Sequence, residues 1–155
     1  MSKINQRFLS KSNRLLLKPA IDKLLDLGIL SCCNVSNPKH KYFENYIFPR
    51  IKPNGDVRII FYMKNLNREV RFKTFKNMKI SDLFPYLHSC NFACRLDLSN
   101  AYYHLSIAEE HRKFLAFKFN KQTYVWNAMP FGLSEAPYLF SKLMECVVTN
   151  LRIKF

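Results

Sequence analysis

Apolar positions change their period several times along this chain, and each change marks an element. From Pro19, the run PAIDKLLDLGIL sets Ile21, Leu24, Leu25 and Gly28 on one helical face. Proline is tolerated in a first helical turn, where its missing amide would be unpaired anyway, and glycine suits a helix end. The pattern therefore predicts a helix opening at Pro19 and capped by Gly28. The polar stretch CCNVSNPKHK predicts a loop. YIFPRIKPNGDVRIIFYM follows as two extended arms around Pro53-Asn54-Gly55, and Asn-Gly between apolar runs is a strong hairpin signal. KNLNREVRFKTFKNMK interleaves Lys and Arg with aromatic side chains, and it is too rich in Asn and in β-branched or aromatic residues to predict a helix. Residues 92–98, FACRLDL, alternate: Phe92, Cys94, Leu96 and Leu98 face one way, Ala93, Arg95 and Asp97 the other. That period of two predicts a strand whose C-terminal end presents Asp97 away from the apolar side, where a carboxylate escapes the cost of burial. FLAFKF and TYVWNAM, parted by Asn120-Lys121-Gln122, predict a second hairpin. In MPFGLSEAPYLFSKLMECVVTNLRIKF, Ser134 is placed to cap a helix and Pro137 falls in its first turn. Leu139, Leu143, Val147 and Leu151 form the helix's apolar stripe, with Phe140, Met144 and Val148 beside it. No repeat or linker interrupts the series, so residues 19–155 read as one domain behind a basic arm, residues 1–18.

Charge changes the picture of the partner. The 155 residues carry 25 Lys and Arg against 11 Asp and Glu, a formal charge of +14, which draws polyanions and, inside cells, nucleic acid first among them. Apolar residues at 48% suffice for a packed core and argue against a disordered tail. A membrane surface would also suit the charge. No long basic amphipathic helix with an aromatic face is present, however, and no apolar run reaches the length of a bilayer span, so no membrane partner is expected. Cys32, Cys33, Cys90, Cys94 and Cys146 are odd in number and form no CxxC pair, and His40, His88, His104 and His111 are scattered. That usage argues against a zinc site and for a reduced, intracellular protein with Cys90 and Cys94 as buried thiols. The opening MSKINQRFLSKSNRLLLK is basic, contains Ser and lacks acids, as mitochondrial presequences do, but its apolar periodicity is weak and favours an arm leading into the first helix. Cytoplasmic or nuclear residence is the expectation, with mitochondrial import left open.

The order of the motifs carries more than any one of them: a basic hairpin, a strand ending in Asp, an aromatic pair, then a Pro-Phe-Gly turn before a long helix. In that order, over roughly residues 20–150, the chain resembles the N-terminal half of a reverse transcriptase domain of the retrovirus and retrotransposon type. AMPFGLSEAPYLFSKLM resembles the retrotransposon versions, tyrosine-recombinase elements among them. The resemblance implies an α+β fold: a partial polymerase right hand, with an antiparallel palm sheet backed by helices and a basic fingers hairpin. It implies RNA-directed DNA polymerase chemistry, in which two Mg²⁺ ions promote attack of a primer 3′-hydroxyl on the α-phosphate of a dNTP, with an RNA or DNA template as partner. LDLSNAYYHLSI is similar to the family's first palm motif. Asp97 stands at the carboxylate that binds both metal ions, and the Leu98 carbonyl at a further ligand. Tyr102 stands at the aromatic gate under the sugar, where a rigid ring blocks a 2′-hydroxyl. Lys52 and Arg58 match residues that grip the triphosphate. Pro130, Phe131 and Gly132 match the turn supporting the nascent base pair, with Phe131 where retroviral enzymes carry Gln. Arg50, Lys64, Arg68, Arg71, Lys73, Lys76 and Lys79 are the expected contacts to nucleic acid.

Two departures stand out. In FYMKNLN, Lys64, Leu66 and Asn67 fit the family, but Tyr62 occupies the place of an acid. The second palm motif, an aromatic residue followed shortly by paired aspartates, does not occur: Asp22, Asp26, Asp56, Asp82 and Asp97 are all separate in sequence. The expectation is therefore a domain truncated to fingers and partial palm, lacking the rest of the palm, the thumb and any RNase H segment, and inactive by itself. A non-catalytic nucleic-acid-binding remnant of a retroelement is the alternative. A basic interaction protein unrelated to polymerases is a third reading.

Overall fold

The structure is a computed structural model, and it describes residues 9–33, 42–71, 73, 75, 79–87, 91–92 and 97–154. Helix α1 (Lys11–Asp26) opens earlier than its apolar period indicates, and Pro19 lies inside it. The start is set by Ser10, whose Oγ accepts the Asn13 amide at 3.1 Å and so satisfies one of the unpaired donors of the first turn. The bond that Pro19 cannot make is the one to the Leu15 carbonyl, and Leu15 lies on the exposed side of the helix. Leu17, Ile21 and Leu24 make the buried side. Gly28 ends the helix as expected. With φ at +68° it lets its own amide reach the Leu25 carbonyl and the Ile29 amide reach the Leu24 carbonyl, both at 2.9 Å.

Strands β1 (Leu30–Cys33), β2 (Glu44–Ile51), β3 (Val57–Tyr62), β4 (Ala116–Phe119) and β5 (Gln122–Trp126) form one five-stranded sheet in the order β1-β5-β4-β2-β3. Both hairpins form where the turn residues place them. In the first, the Asn54 carboxamide accepts from the Asp56 amide and donates to the Asp56 carboxylate. In the second, Asn120 and Lys121 take the paired left-handed conformation of a two-residue turn, and Gln122 joins the strand. The sheet that contains them is mixed, which corrects the expectation of an antiparallel one for the described strands. β2 and β4 run parallel, with Glu44 opposite Ala116 and Asn45 opposite Phe117. The physical reason is connectivity: no tight turn joins these two strands, and a long crossover permits either direction. Asn45 is buried at this seam, and its carboxamide donates to the Phe114 carbonyl at 2.9 Å, with the Phe43 and Ala116 carbonyls at 3.1 and 3.2 Å.

One core backs the sheet. Ile47, Ile59, Phe61, Phe117, Phe119 and Trp126 pack with the buried side of α1, and Phe61 meets Phe117 edge-on and Trp126 at a tilt, with centroids 5.9 and 5.6 Å apart. A short helix, α2 (Lys64–Glu69), follows β3 where no helix was expected. Its one buried side chain, Leu66, anchors it in the core, so packing overrides a weak local preference. Helices α3 (Phe84–Leu87) and α4 (Glu109–Arg112) are single turns, and α4 holds Glu109 and Glu110 in solvent. The last helix, α5 (Ala136–Lys154), starts at Ala136 with Pro137 in its first turn, but Ser134 does not cap it: the Ser134 Oγ is buried without a partner among the described residues. The stripe of α5 divides. Leu139 packs on the core, whereas Val147, Val148 and Leu151 are exposed.

Residues 93–96, the centre of the expected strand FACRLDL, lie outside the described residues, as do Lys76, Cys90 and Cys94. Asp97 and Leu98 belong to no strand. No helix among the described residues is long and apolar enough to cross a membrane.

Candidate nucleotide and polymerase site

Asp97 leads into a turn at Ser99-Asn100. Asn100 adopts the left-handed conformation (φ +53°), its carbonyl accepts the Tyr103 amide at 2.8 Å, and a 3-10 turn over Ala101–His104 results. With three residues per turn, neighbouring side chains on such a turn point in well-separated directions, and the two tyrosines part accordingly. Tyr103 turns inward against Trp126, with centroids 5.7 Å apart. Burial pushes its hydroxyl up to about 12, with the nearby Arg58 charge opposing the shift. Tyr102 stays half-buried, 4.9 Å from the Phe131 ring and edge-on to Phe140 of α5 at 5.6 Å.

Phe131 is the hub of the arrangement. Tyr103 meets it edge-on at 5.5 Å, and the Arg58 guanidinium lies 5.6 Å from its ring centroid, a cation–π contact. Residues far apart in the sequence, one from the fingers hairpin, two from the turn after Asp97 and one from the Pro-Phe-Gly turn, thus share one cluster. The Pro-Phe-Gly turn is held close to β3. Gly132 has φ +109°, and a Cβ there would stand 2.9 Å from the Phe61 carbonyl oxygen, so only glycine fits both the angle and the space.

On the hairpin, Arg50 and Arg58 face each other across the β2–β3 ladder. Like charges placed opposite on one face repel, and an anion between them relieves the repulsion. With Ile51, Lys52, Pro53 and Asn54 they line an open cavity of about 770 Å³. The Lys52 ammonium is 3.9 Å from the Asp56 carboxylate, an exposed pairing that leaves it available to a stronger acceptor. Lys64, Arg68, Arg71 and Lys79 are exposed on and after α2, while the Lys73 ammonium lies 5.3 Å over the Tyr138 ring of α5.

The Asp97 carboxylate is exposed and, among the described residues, has no hydrogen-bond or ion-pair partner. It and the Leu98 carbonyl are hard oxygen donors of the kind a divalent cation takes. Among the described residues, however, no three His, Cys, Asp or Glu groups come together to hold a metal ion. One carboxylate does not complete a two-metal centre.

Arg58, Tyr102 and Phe131, each singled out in the sequence, lie together in the structure. Sequence reasoning missed the side-chain role of Asn67 and the contact of Tyr103 with Phe131. The Asn67 signal was available in principle, since Asn is a poor helix former whose carboxamide readily bonds backbone groups, and here it lies inside a short helix.

Comparison with known proteins agrees with this geometry. The family model described as reverse transcriptase (RNA-dependent DNA polymerase) matches residues 38–155. The Pol polyprotein of equine infectious anemia virus (isolate 1369) is 28% identical over 163 residues, covering 99% of this chain and 14% of the viral protein. The Gag-Pol polyprotein of walleye dermal sarcoma virus is 29% identical over 143 residues, covering 89% of this chain and 8% of its own length. Among solved structures, prototype foamy virus protease-reverse transcriptase superposes with a TM-score of 0.69 at 20% identity, covering 92% of this chain and 18% of that one. The foamy viral protease-reverse transcriptase in complex with dsDNA gives 0.70 at 22%, covering 97% and 31%. The α+β fold is therefore that of part of a reverse transcriptase domain. The chain belongs to the reverse transcriptase family, whose members use divalent metal ions, and it spans a small part of the length of the viral polyproteins it matches.

Proposed function

We propose that this chain carries the fingers and the first palm carboxylate of an RNA-directed DNA polymerase of a retroelement. One observation carries the reading: the convergence of Arg58 and Tyr102 on Phe131, beside a hairpin whose facing arginines await an anion. The triphosphate of an incoming dNTP lies along Lys52 and Arg58, where fixed positive charge also favours the charge that develops on phosphoryl transfer. The sugar and base stack toward Tyr102 and the Phe131-Gly132 turn, and the flat Tyr102 ring leaves no room for a 2′-hydroxyl. Arg50, Lys64, Arg68, Arg71, Lys73, Lys76 and Lys79 hold the template–primer duplex, RNA–DNA or DNA–DNA. Solved foamy viral relatives in complex with dsDNA and with an RNA/DNA hybrid support that choice of partner. Asp97, with the Leu98 carbonyl, contributes to a Mg²⁺ site that acquires its remaining carboxylates from a segment bearing the paired aspartates. When bound, the metal activates the primer hydroxyl and steadies the leaving pyrophosphate.

The test is a fusion of this chain to the paired-aspartate segment of the equine infectious anemia virus Pol relative, assayed for primer extension on RNA and DNA templates. Extension that Asp97→Asn abolishes, with duplex affinity unchanged, is the expected result. Extension that survives Asp97→Asn removes Asp97 from the reaction.

A further inference from the structure

The turn that carries Phe131 is not held by Gly132 packing alone. Asn67, within α2, faces it with both ends of its carboxamide. Its Nδ2 donates to the Gly132 carbonyl at 2.8 Å, and its Oδ1 accepts the Ser134 amide at 3.0 Å. A single side chain thus stands in for a short strand, pairing one acceptor and one donor of a backbone segment that no ladder reaches. The two bonds straddle Leu133 and fix the exit of the turn, while the Phe61 carbonyl, 2.9 Å from any Cβ at Gly132, fixes its near face. Asn67 is covalently close to β3, the strand that carries Arg58, since α2 begins two residues after Tyr62.

We infer that Asn67 is a positioning residue that locks the Phe131 turn to the fingers, and so sets the distance between Arg58, Phe131 and Tyr102; its effect on nucleotides rests on the dNTP reading above. The carboxamide is suited to this task because it is uncharged and offers one donor and one acceptor in a plane. An aspartate at this position keeps the bond from Ser134 but turns a second oxygen toward the Gly132 carbonyl. Alanine loses both bonds. Because Asn67 is uncharged and its two bonds go to backbone, its loss differs from a loss of positive charge, and duplex affinity measured beside nucleotide affinity separates the two.

The experiment uses the 155-residue chain, isotope-labelled for NMR. Four quantities are read for wild type, Asn67→Ala and Asn67→Asp: amide exchange at Ser134, cross-peaks between the Phe131 and Tyr102 rings, resonance shifts on titration with dTTP and Mg²⁺, and duplex affinity by fluorescence anisotropy. In Asn67→Ala, Ser134 exchange should quicken and dTTP affinity should fall, each roughly tenfold for two missing neutral hydrogen bonds. The ring cross-peaks should weaken, and duplex affinity should stay within about twofold. Asn67→Asp should keep more of the Ser134 protection than alanine does. Gly132→Ala disturbs the same turn from its other side and should likewise weaken the ring cross-peaks, which serves if Asn67→Ala folds poorly. Unchanged ring cross-peaks and Ser134 exchange in Asn67→Ala overturn the inference, and so does an equal loss of dTTP and duplex binding. If wild type shows no dTTP shifts while Asn67→Ala still frees the turn, the positioning role stands and the nucleotide reading fails.

Discussion

Tyr103 offers a measurement that tests the packing of the site without requiring catalysis. Its phenol ionises near 10 when the chain is unfolded and only at about 12 when folded, because burial disfavours the phenolate and the opposing pull of Arg58 is smaller. Below pH 10 both states keep the proton, and the folded state holds its full advantage. Between pH 10 and 12 the unfolded chain loses the proton first, so each unit of rising pH removes about 1.4 kcal/mol, roughly 2.7 kcal/mol over the window. Tyr103→Phe removes this effect and leaves the ring contacts with Trp126 and Phe131. Urea unfolding at successive pH values, followed by the emission of Trp126, the only tryptophan in the chain, measures the difference. Other tyrosines and the lysines titrate in both proteins and cancel in the comparison. Wild type should lose stability more steeply than Tyr103→Phe above pH 10, the two curves separating by about 2–3 kcal/mol near pH 12. Parallel curves would mean that Tyr103 is solvated, and the inward placement on which the proposal of Tyr102 as the gate rests would go with it.

The same register predicts that, in a fusion carrying the paired aspartates, Tyr102→Ala raises ribonucleotide incorporation relative to dNTPs while Tyr103→Ala mainly lowers the melting temperature; swapped effects would shift the gate by one residue. Duplex affinity should fall steeply with salt, and replacing Arg68, Arg71 and Lys73 together should reduce the log–log slope by about 2–3, roughly one unit for each phosphate no longer neutralised. A slope unchanged in the triple variant would move the duplex elsewhere. Asn45→Ala, which strands carbonyls at the parallel seam, should cost about 2–3 kcal/mol in urea unfolding at neutral pH, and a loss below about 0.5 kcal/mol would show that water replaces the side chain.

Local rules made much of the fold legible. Asn54-Gly55 and Asn120-Lys121-Gln122 announced both hairpins, although Gln122 proves to open β5, and Gly28 announced the end of α1. Where sequence reasoning failed, the deciding influence was either competing or distant. Ser10 lies before a stretch of weak apolar period, so its cap was overshadowed by the Pro19 signal. Ser134 has the chemistry of a cap, yet its amide is committed to Asn67 and the helix begins beyond it. The parallel pairing of β2 with β4 depends on residues brought together from distant parts of the chain, and no short-range period encodes direction. At the site, a resemblance named Arg58, Tyr102 and Phe131 one by one. That they meet around a single ring follows only from the fold.

The parallel seam between the hairpins also governs how this protein reaches its folded state. Each hairpin closes through neighbours in sequence and can form within microseconds, by the general timing of such elements. The seam cannot: Asn45 meets the Phe114 carbonyl across 69 positions. Closing loops of that length is slow because their entropy is lost before any contact rewards it. The catalytic candidate Asp97 and the tyrosine pair lie inside the loop so closed. Their assembly with Arg58 is thus a late event in folding, and during synthesis it has to wait for β4 and β5 to leave the ribosome. Until then the edges of β2 and β4 stand open to other chains, a period in which this protein is exposed to mispairing.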